Sequence, residues 1–543
     1  MKYLRWIYRF VRRQRGAMTA MMACHVLLAA CAVGFVYVSK KLVDVAVAMV
    51  QGSQDDDLWL WGLSMVGIVI LRIGLNALRS YLQVRTEISL KNSLRRRLFD
   101  ILLRMQNDGG SRRHTGDVLS RMQEDVRMVS NLCASSLPNL FGTLLQLAAA
   151  LTFLMILEPR LALIVIVVAP LGVLAGKYVS GRIRRLTHDI RESDARVQSH
   201  LQESVQHITL LQSMEYTDAS ASSLGELQGG LYGNELRRAR FSILSRVIMS
   251  LAFQAAQTVA FLWAVVGIST GTVTYGMMTA FLQLVAQIQR PLVEMSSQVP
   301  SLIHATASID RIMELEALPR EEDVEPDMLS GTAGVRFEGV FFSYPGSSRN
   351  VLENFTHDFR PGSRTAIVGP TGVGKSTMIR LLLSLLRPQS GSITVYTSSH
   401  SAAASPATRC NLVYVPQGNS LFSGTIRDNL LMGNPEATEE QLCAALHTAA
   451  ADFVLDLPGG LDAQCFEAGA GLSEGQAQRV AIARGLLRPG SILLLDEFSS
   501  ALDADTELIL MQRLTAALPD HTMIFITHRE KIIDYCDSVL RLD

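Results

Sequence analysis

The run Gly369-Pro370-Thr371-Gly372-Val373-Gly374-Lys375-Ser376 has the GxxxxGKS spacing that lets a backbone curl around phosphate. Its glycines allow successive N–H groups to turn onto one oxygen, and a helix starting at Lys375 adds its positive end. Lys375 would neutralise β- and γ-phosphate oxygens, and Ser376 would offer its hydroxyl to Mg²⁺, with Thr377 beside them in the first helical turn. Such a loop needs a strand before it and a helix after it. Ser363-Arg364-Thr365-Ala366-Ile367-Val368 reads as a buried strand and Met378-Ile379-Arg380-Leu381-Leu382-Leu383 as an apolar helix, so both flanks agree.

A second apolar run, Ser491-Ile492-Leu493-Leu494-Leu495, ends in Asp496-Glu497 and predicts a buried strand carrying two carboxylates at its tip. Asp496 would hold Mg²⁺ through water, as in other P-loop enzymes; alone, the pair reads equally as an acidic approach to the next helix. His528 follows a third run, Met523-Ile524-Phe525-Ile526, where a single histidine is more often structural. Ser473 and Gln476 spell S-x-x-Q, a capping box for the helix through Arg479, Ile482 and Leu486, and Glu474 in its first turn suits the helix dipole.

In their order along the chain, the phosphate loop, Gln417, Leu472-Ser473-Glu474-Gly475-Gln476, Asp496-Glu497 and His528 resemble the nucleotide-binding domain of ABC transporters. The resemblance implies that Glu497 is the general base, that His528 is the switch histidine touching the γ-phosphate, and that Ser473, Gly475 and Gln476 face ATP bound by a partner chain. Leu472–Gln476 departs from LSGGQ by one residue, Glu474, whose carboxylate is expected to point to solvent. Tyr344 sits where the family stacks an aromatic on adenine, although strand-end packing is the commoner role for such a residue. Gln417, ahead of Leu421-Phe422-Ser423-Gly424-Thr425, is similar to the loop that senses Mg²⁺ and the membrane domain. Asp503 matches the loop that couples the two sites, and Glu467 the acid before the signature, with Phe466 where a glycine is usual. The Ser/Ala tract from Ser398 to Ser405 is atypical and predicts a flexible surface loop.

At 543 residues, with 48% hydrophobic side chains and a positive mean hydropathy, the chain has room for several domains, one of them in lipid. Fifty basic and fifty acidic residues balance, which gives no support for nucleic acid as a partner. Seven scattered cysteines without CxxC spacing argue against zinc and against a disulfide framework. Six stretches are long and apolar enough to span a bilayer: 17–48, 58–80, 132–157, 160–181, 243–270 and 274–300. Arginine and lysine crowd the start (Lys2, Arg5, Arg9, Arg12, Arg13, Arg15) and the segment after the second span (Lys91, Arg95, Arg96, Arg97, Arg104, Arg112, Arg113, Arg121). Between the first two spans stand only Asp55, Asp56 and Asp57, so that loop faces outward and the N-terminus and ATP motifs are cytoplasmic. Tyr3, Trp6, Ile7 and Phe10 would anchor an amphipathic elbow helix on the inner face, in preference to a cleaved signal peptide.

The resemblance extends through the first part of the chain. Thr115-Gly116-Asp117-Val118-Leu119-Ser120-Arg121-Met122 is similar to the TGDLLSR-like motif near the first coupling helix of ABC exporters, and Leu201-Gln202-Glu203-Ser204 with Glu215 to their second cytoplasmic loop. Gly271-Thr272-Val273-Thr274-Tyr275-Gly276, Pro291 and Ser308-Ile309-Asp310-Arg311-Ile312 match the last span and its exit. The expected fold is an α-helical membrane domain of six transmembrane helices (1–320), an acidic linker (321–334) including Glu321, Glu322, Asp323 and Glu325, and an α/β P-loop nucleotide-binding domain with an ABC-type helical subdomain (335–543). No peptidase domain is expected ahead of the first span.

What the resemblance implies is a half-transporter in a bacterial inner (plasma) membrane: two chains, ATP and Mg²⁺, and an unidentified substrate exported or flipped across the lipid bilayer. A homodimer with two competent sites is favoured and a heterodimer is the alternative; a membrane-bound ABC regulator or assembly factor is the rival function. For the pathway, His25 is the leading ionisable residue, Arg72 lies about 14 residues or ~21 Å into its span, and Lys40 and Lys41 sit at the outer end of theirs, with snorkelling the plainer reading for these three basic side chains. Met18, Met21, Met22, Cys24, His25 and Cys31 would suit a soft-metal path, but Met and Cys are ordinary packing residues first and adjacent Cys24 and His25 point to different faces. Gln254 with Gln257, and Gln283 with Gln287, share helix faces that either line a cavity or bond between helices.

Overall fold

A computed structural model describes every residue except 1, 52–57, 107–114, 322, 348, 371, 467–470 and 543. Asp55, Asp56, Asp57, Arg112, Arg113, Glu322, Thr371 and Glu467 therefore lie outside the described residues. The chain divides into two compact units, one of Met1–Phe99 and Thr115–Glu316, the other of Asp100–His114 and Ala317–Asp543.

Among its described residues the first unit is built of helices: α1 Lys2–Val11, α2 Arg15–Val50, α3 Leu58–Leu103, α4 Thr115–Ser120, α5 Val126–Asn131, α6 Leu137–Leu157, α7 Pro159–Gln206, α8 Ile208–Ser213, α9 Thr217–Ser269 and α10 Tyr275–Glu316. With no water in a bilayer core, helices are the way for such apolar segments to satisfy their own backbone. Among the described residues four helical stretches, in the ranges Arg5–Val50, Leu58–Leu103, Asp117–Leu157 and Thr217–Ser269, are long and apolar enough to cross. Helix α7 has 48 residues and α9 has 53, or about 72 and 80 Å, more than twice the ~30 Å of a hydrocarbon core. Their surplus turns must stand outside the bilayer. Two π-helical segments, Arg121–Asp125 and Leu132–Ser136, join α4, α5 and α6 into one nearly continuous rod. Asp125, buried in the first of them, accepts from Ser308 Oγ at 2.9 Å and from Arg311 Nε at 2.8 Å, which ties the rod to α10.

Close packing at the other end of α10 depends on a glycine. A Cβ on Gly276 would run into the Lys40 carbonyl and the Asp44 carboxylate of α2, and the Gly276 N–H donates to Asp44 Oδ1 at 2.9 Å. Asp44 thus satisfies an orphan N–H in the first turn of α10, a carboxylate at the positive end of a helix. Trp6, expected as a lipid anchor, is instead buried and donates to Glu316 at 2.9 Å, while Tyr3 donates to Asp310 at 2.7 Å. Gln283 Nε2 bonds to Ser39 Oγ at 3.0 Å and Gln287 Nε2 to the Ala32 carbonyl at 3.4 Å, so this pair joins α10 to α2; Gln254 and Gln257 are exposed on α9.

The second unit holds two main sheets. An antiparallel one, ordered β2-β1-β4-β5, comprises β1 Gly334–Phe342, β2 Leu352–Phe359, β4 Ser390–Tyr396 and β5 Ser401–Ala403. The Ser/Ala tract expected as a loop supplies β5: its small residues pair with Thr394–Tyr396, and Ser405 then forms a capping box with Thr408. A parallel sheet, ordered β11-β3-β10-β9-β6, comprises β3 Arg364–Val368, β6 Leu412–Val415, β9 Ile492–Asp496, β10 Thr522–Ile526 and β11 Ser538–Arg541. Every residue of β9 and β10 is buried, as expected for strands covered on both faces. Around it lie α11 Lys375–Leu382, α12 Ile426–Leu431, α13 Glu439–Thr448, α14 Glu474–Leu486, α15 Ala504–Ala517 and α16 Glu530–Ile533, with a two-stranded ribbon of β7 Gly424–Thr425 and β8 Gln464–Cys465.

Candidate functional site

Parallel pairing puts the chemistry at one edge. β3, β10, β9 and β6 are consecutive neighbours, and each ends just before one of the sequence motifs: Gly369 after β3, His528 after β10, Asp496-Glu497 at the end of β9, Gln417 after β6. In open parallel sheets the carboxyl ends of the strands are where ligands bind.

The phosphate loop runs from β3 into α11. Gly374, the residue ahead of α11, has φ +116°, and a Cβ there would meet Val351 at 2.7 Å, so both backbone angle and space demand glycine. No side chain caps α11, whereas Thr425, Thr438, Ser473 and Asp503 cap α12, α13, α14 and α15. The first-turn N–H groups of α11 are therefore available to an anion. Lys375 is 6% exposed; its ammonium donates to the Gly369 carbonyl and lies 2.8 Å from His528 Nε2. Burial holds Lys375 below the usual lysine range, against the pull of Glu497 and Asp496. Thr371 is outside the described residues, and Thr377 meets Tyr344, hydroxyl to hydroxyl, at 3.0 Å. Phe342 packs edge-on against the Tyr344 ring.

Glu497 is the hub. Gln417 Nε2 donates to its Oε2 at 2.6 Å, and His528 Nε2 lies 3.6 Å from its Oε1. Its φ of +45° is a left-handed value that strains a side-chain-bearing residue, and its N–H is tied to the Ile526 carbonyl at 3.0 Å. Asp496 is 4% exposed; burial raises its carboxyl above the ordinary range, partly offset by a hydrogen bond from Ser376. Mg²⁺ favours oxygen ligands and retains several waters, so one hydroxyl, one carboxylate and an amide beside phosphate oxygens fit it. Three unflagged residues buttress these groups. The Tyr414 hydroxyl is pushed up to about 12, mainly by burial and then by the Asp496 carboxylate. Gln478, wholly buried in α14, reaches the Glu497 carbonyl at 3.5 Å. Arg529 holds the carbonyls of Leu502 and Ser500 and the buried Glu507 at 3.1 to 3.2 Å, which ties the His528 loop to the Asp503 segment. The sequence signal for Arg529 was only its place next to His528.

The capping box read from the sequence is present: Gln476 N–H donates to Ser473 Oγ at 3.2 Å and Ser473 N–H to Gln476 Oε1 at 2.9 Å. Gly475 is buried against the Ala501 carbonyl, and Glu474 is exposed. Among the described residues no hydrogen bond joins Ser473, Gly475 or Gln476 to the phosphate loop of their own chain.

Residues 18–292 match the family model of the ABC transporter transmembrane region and residues 352–500 that of the ABC transporter. The chain is 28% identical, over 88% of its length and 83% of the relative's, to a Bacillus subtilis protein named "Putative multidrug export ATP-binding/permease protein". It is 29% identical, over 78% of its length and 68% of the relative's, to a fatty acid ABC transporter ATP-binding/permease protein of Mycobacterium bovis. Its fold is similar to that of a bacterial Atm1-family ABC exporter solved with ATP bound, with a TM-score of 0.79, 24% identity and coverage of 98% of this chain and 94% of that one. Both halves of the match lie on one polypeptide, and the chain belongs to the ABC transporter family as a fused membrane and ATP-binding protein whose ATP hydrolysis is coupled to transport.

Proposed function

We propose that this chain is a half-transporter that works as a pair, closing two ATP molecules between two nucleotide-binding domains to export or flip a substrate. The supporting observation is the division of the site: Lys375, Gln417, Asp496, Glu497 and His528 converge on one sheet edge, while Ser473 and Gly475 make no bond to it among the described residues. The signature of one chain facing the phosphate loop of the other completes each site, and a homodimer then has two equal sites. Lys375 and the bare end of α11 bind the phosphates, Gly369, Pro370, Thr371, Gly372 and Val373 form the wrapping loop, and Tyr344 flanks the adenine. Ser376, Gln417 and Asp496 would hold Mg²⁺, which neutralises phosphate charge. Glu497, oriented by Gln417, takes a proton from the attacking water, and His528 senses the γ-phosphate.

The division of labour is membrane domain at 1–320, linker at 321–334 and ATP-binding domain at 335–543, with six spans, cytoplasmic nucleotide sites and a bacterial inner membrane as the setting. Relatives named for multidrug export and fatty acid transport favour an apolar or amphiphilic cargo. Reconstitution tests this reading. Proteoliposomes with outward-facing nucleotide domains should accumulate a fluorescent amphiphile when ATP is added, and Glu497→Gln proteoliposomes should not. ATPase activity that answers only to a protein partner, without movement of any amphiphile, would instead mark a regulator.

A further inference from the structure

Helices α2, α3 and α6 bring five polar side chains together in a mostly apolar layer. Arg79 and Gln83 lie one turn apart on α3, and Ser135, in the π-helical segment that leads into α6, lies one turn from Asn139 on α6. Gln83 Nε2 donates to Ser135 Oγ at 3.0 Å, Asn139 Nδ2 donates to the same oxygen at 3.3 Å, and Arg79 Nη1 donates to Asn139 Oδ1 at 3.4 Å. His25 enters from α2. Its ring is 7% exposed and presses on Gly142, one turn along α6 from Asn139, where any Cβ would overlap it.

Two polar atoms of this group are left over: His25 Nε2 and Arg79 Nε are buried with no hydrogen-bond partner. Arg79 also has no carboxylate within salt-bridge distance among the described residues, and the cluster contains no acid. A guanidinium without a counter-ion is costly among apolar helices, and a planar oxyanion is what its fork of donors fits. Arg79 stands at the inner edge of the second span read from the sequence, the depth at which an amphiphile of the inner leaflet carries its headgroup.

We propose that His25, Arg79 and Asn139 form a headgroup subsite that takes the carboxylate or phosphate of an anionic substrate. The assignment rests on the transport reading and narrows it to anionic cargo. Arg79 supplies charge and two parallel donors, Asn139 holds the guanidinium in place, and the free His25 nitrogen reads a second oxygen, by donating to an anion or accepting from its hydroxyl form.

The test uses full-length protein in nanodiscs of zwitterionic lipid, without nucleotide, loaded with a fluorescent alkyl phosphate. Dodecyl phosphate, dodecylphosphocholine and inorganic phosphate then compete for it. Dodecyl phosphate is expected to displace the probe at about tenfold lower concentration than dodecylphosphocholine, a ratio that falls towards one in Arg79→Gln and persists in Arg79→Lys. Arg72→Gln, which removes an exposed cation elsewhere on α3, keeps the ratio. Competition by inorganic phosphate as well assigns the site to free anions, and competition by dodecyl phosphate alone assigns it to lipid-like headgroups; both support an anion subsite. An unchanged ratio in Arg79→Gln, or an equal loss in Arg72→Gln, overturns it. Because binding is read without nucleotide, protein that discriminates headgroups yet moves no amphiphile refutes the transport reading alone, and protein that transports without regard to headgroup charge refutes the subsite alone.

Discussion

At the scale of single residues, the site is a set of charges, with Lys375 and Asp496 buried and Glu497 half-buried, kept in order by a few neutral groups. Glu497 has Gln417 at 2.6 Å and a strained backbone that aims its carboxylate. Glu497→Gln is expected to lower ATP turnover by roughly 10²-fold or more while nucleotide stays bound, measured by phosphate release and retained ATP. Asp496 is a harder case, since burial raises its carboxyl. The folded domain then holds that proton more tightly than the unfolded chain, so Asp496 favours folding at acid pH and opposes it as pH rises through the raised value. Asp496→Asn should raise the melting temperature at neutral pH, by an increment that shrinks towards pH 4, while Mg²⁺-dependent hydrolysis is lost. Glu474 is exposed in the first turn of α14. Glu474→Gly should change turnover by less than about twofold and cost a few tenths of a kcal/mol of helix stability; a large gain in turnover would place its carboxylate against phosphate. The phosphate-loop residues, Asp496, Glu497, Gln417 and His528 were legible because their types and order are tied to neighbouring strand ends. Tyr414, Gln478, Arg529 and Arg79 were not, because each acts through a partner far away in sequence and looks locally like ordinary strand, helix or loop.

Elements hold these residues by close approach, and glycine marks where. Gly374→Ala would force a Cβ against Val351 at an unfavourable φ and should abolish nucleotide binding, read by equilibrium dialysis of ATP, with the remainder of the domain still folded. Gly276→Ala would drive α10 away from Asp44 and the Lys40 carbonyl; a loss of about 1–3 kcal/mol is expected, seen as a lower melting temperature in detergent. The long helices and the buried strands followed from apolar length and pattern. Less legible were the π-helical joint that ends at Asp125, whose carboxylate bonds to Arg311, 186 residues away, and the short strand β5, whose small residues carry no periodic signal and pair with the edge that β4 offers. Gln283 and Gln287 show the same limit: sequence placed them on one face, but only α2 decides that they bond to Ser39 and the Ala32 carbonyl.

For the whole molecule the decisive question is which chain supplies which half of each site. On the pairing proposed above, a Glu497→Gln chain keeps its signature and a Ser473→Ala chain keeps its base, so either variant alone is expected to be inactive at both sites. Mixed in equal amounts, half the dimers are hybrids with one intact site, and hydrolysis should return to roughly a quarter of the wild-type rate. Recovery of nothing, with hybrid dimers shown by pull-down, would mean that each chain is self-sufficient or that both sites must fire together. Ser473→Ala also removes a cap worth about 1 kcal/mol, which the melting temperature will show separately. The bare start of α11 has a further bearing on the life of the protein. Helices α12 to α15 each carry a built-in stopper, whereas α11 leaves its first-turn N–H groups to a bound anion. A starved cell, short of triphosphate, would leave that helix start unsatisfied and the domain less stable, and a well-fed one would harden it by mass action.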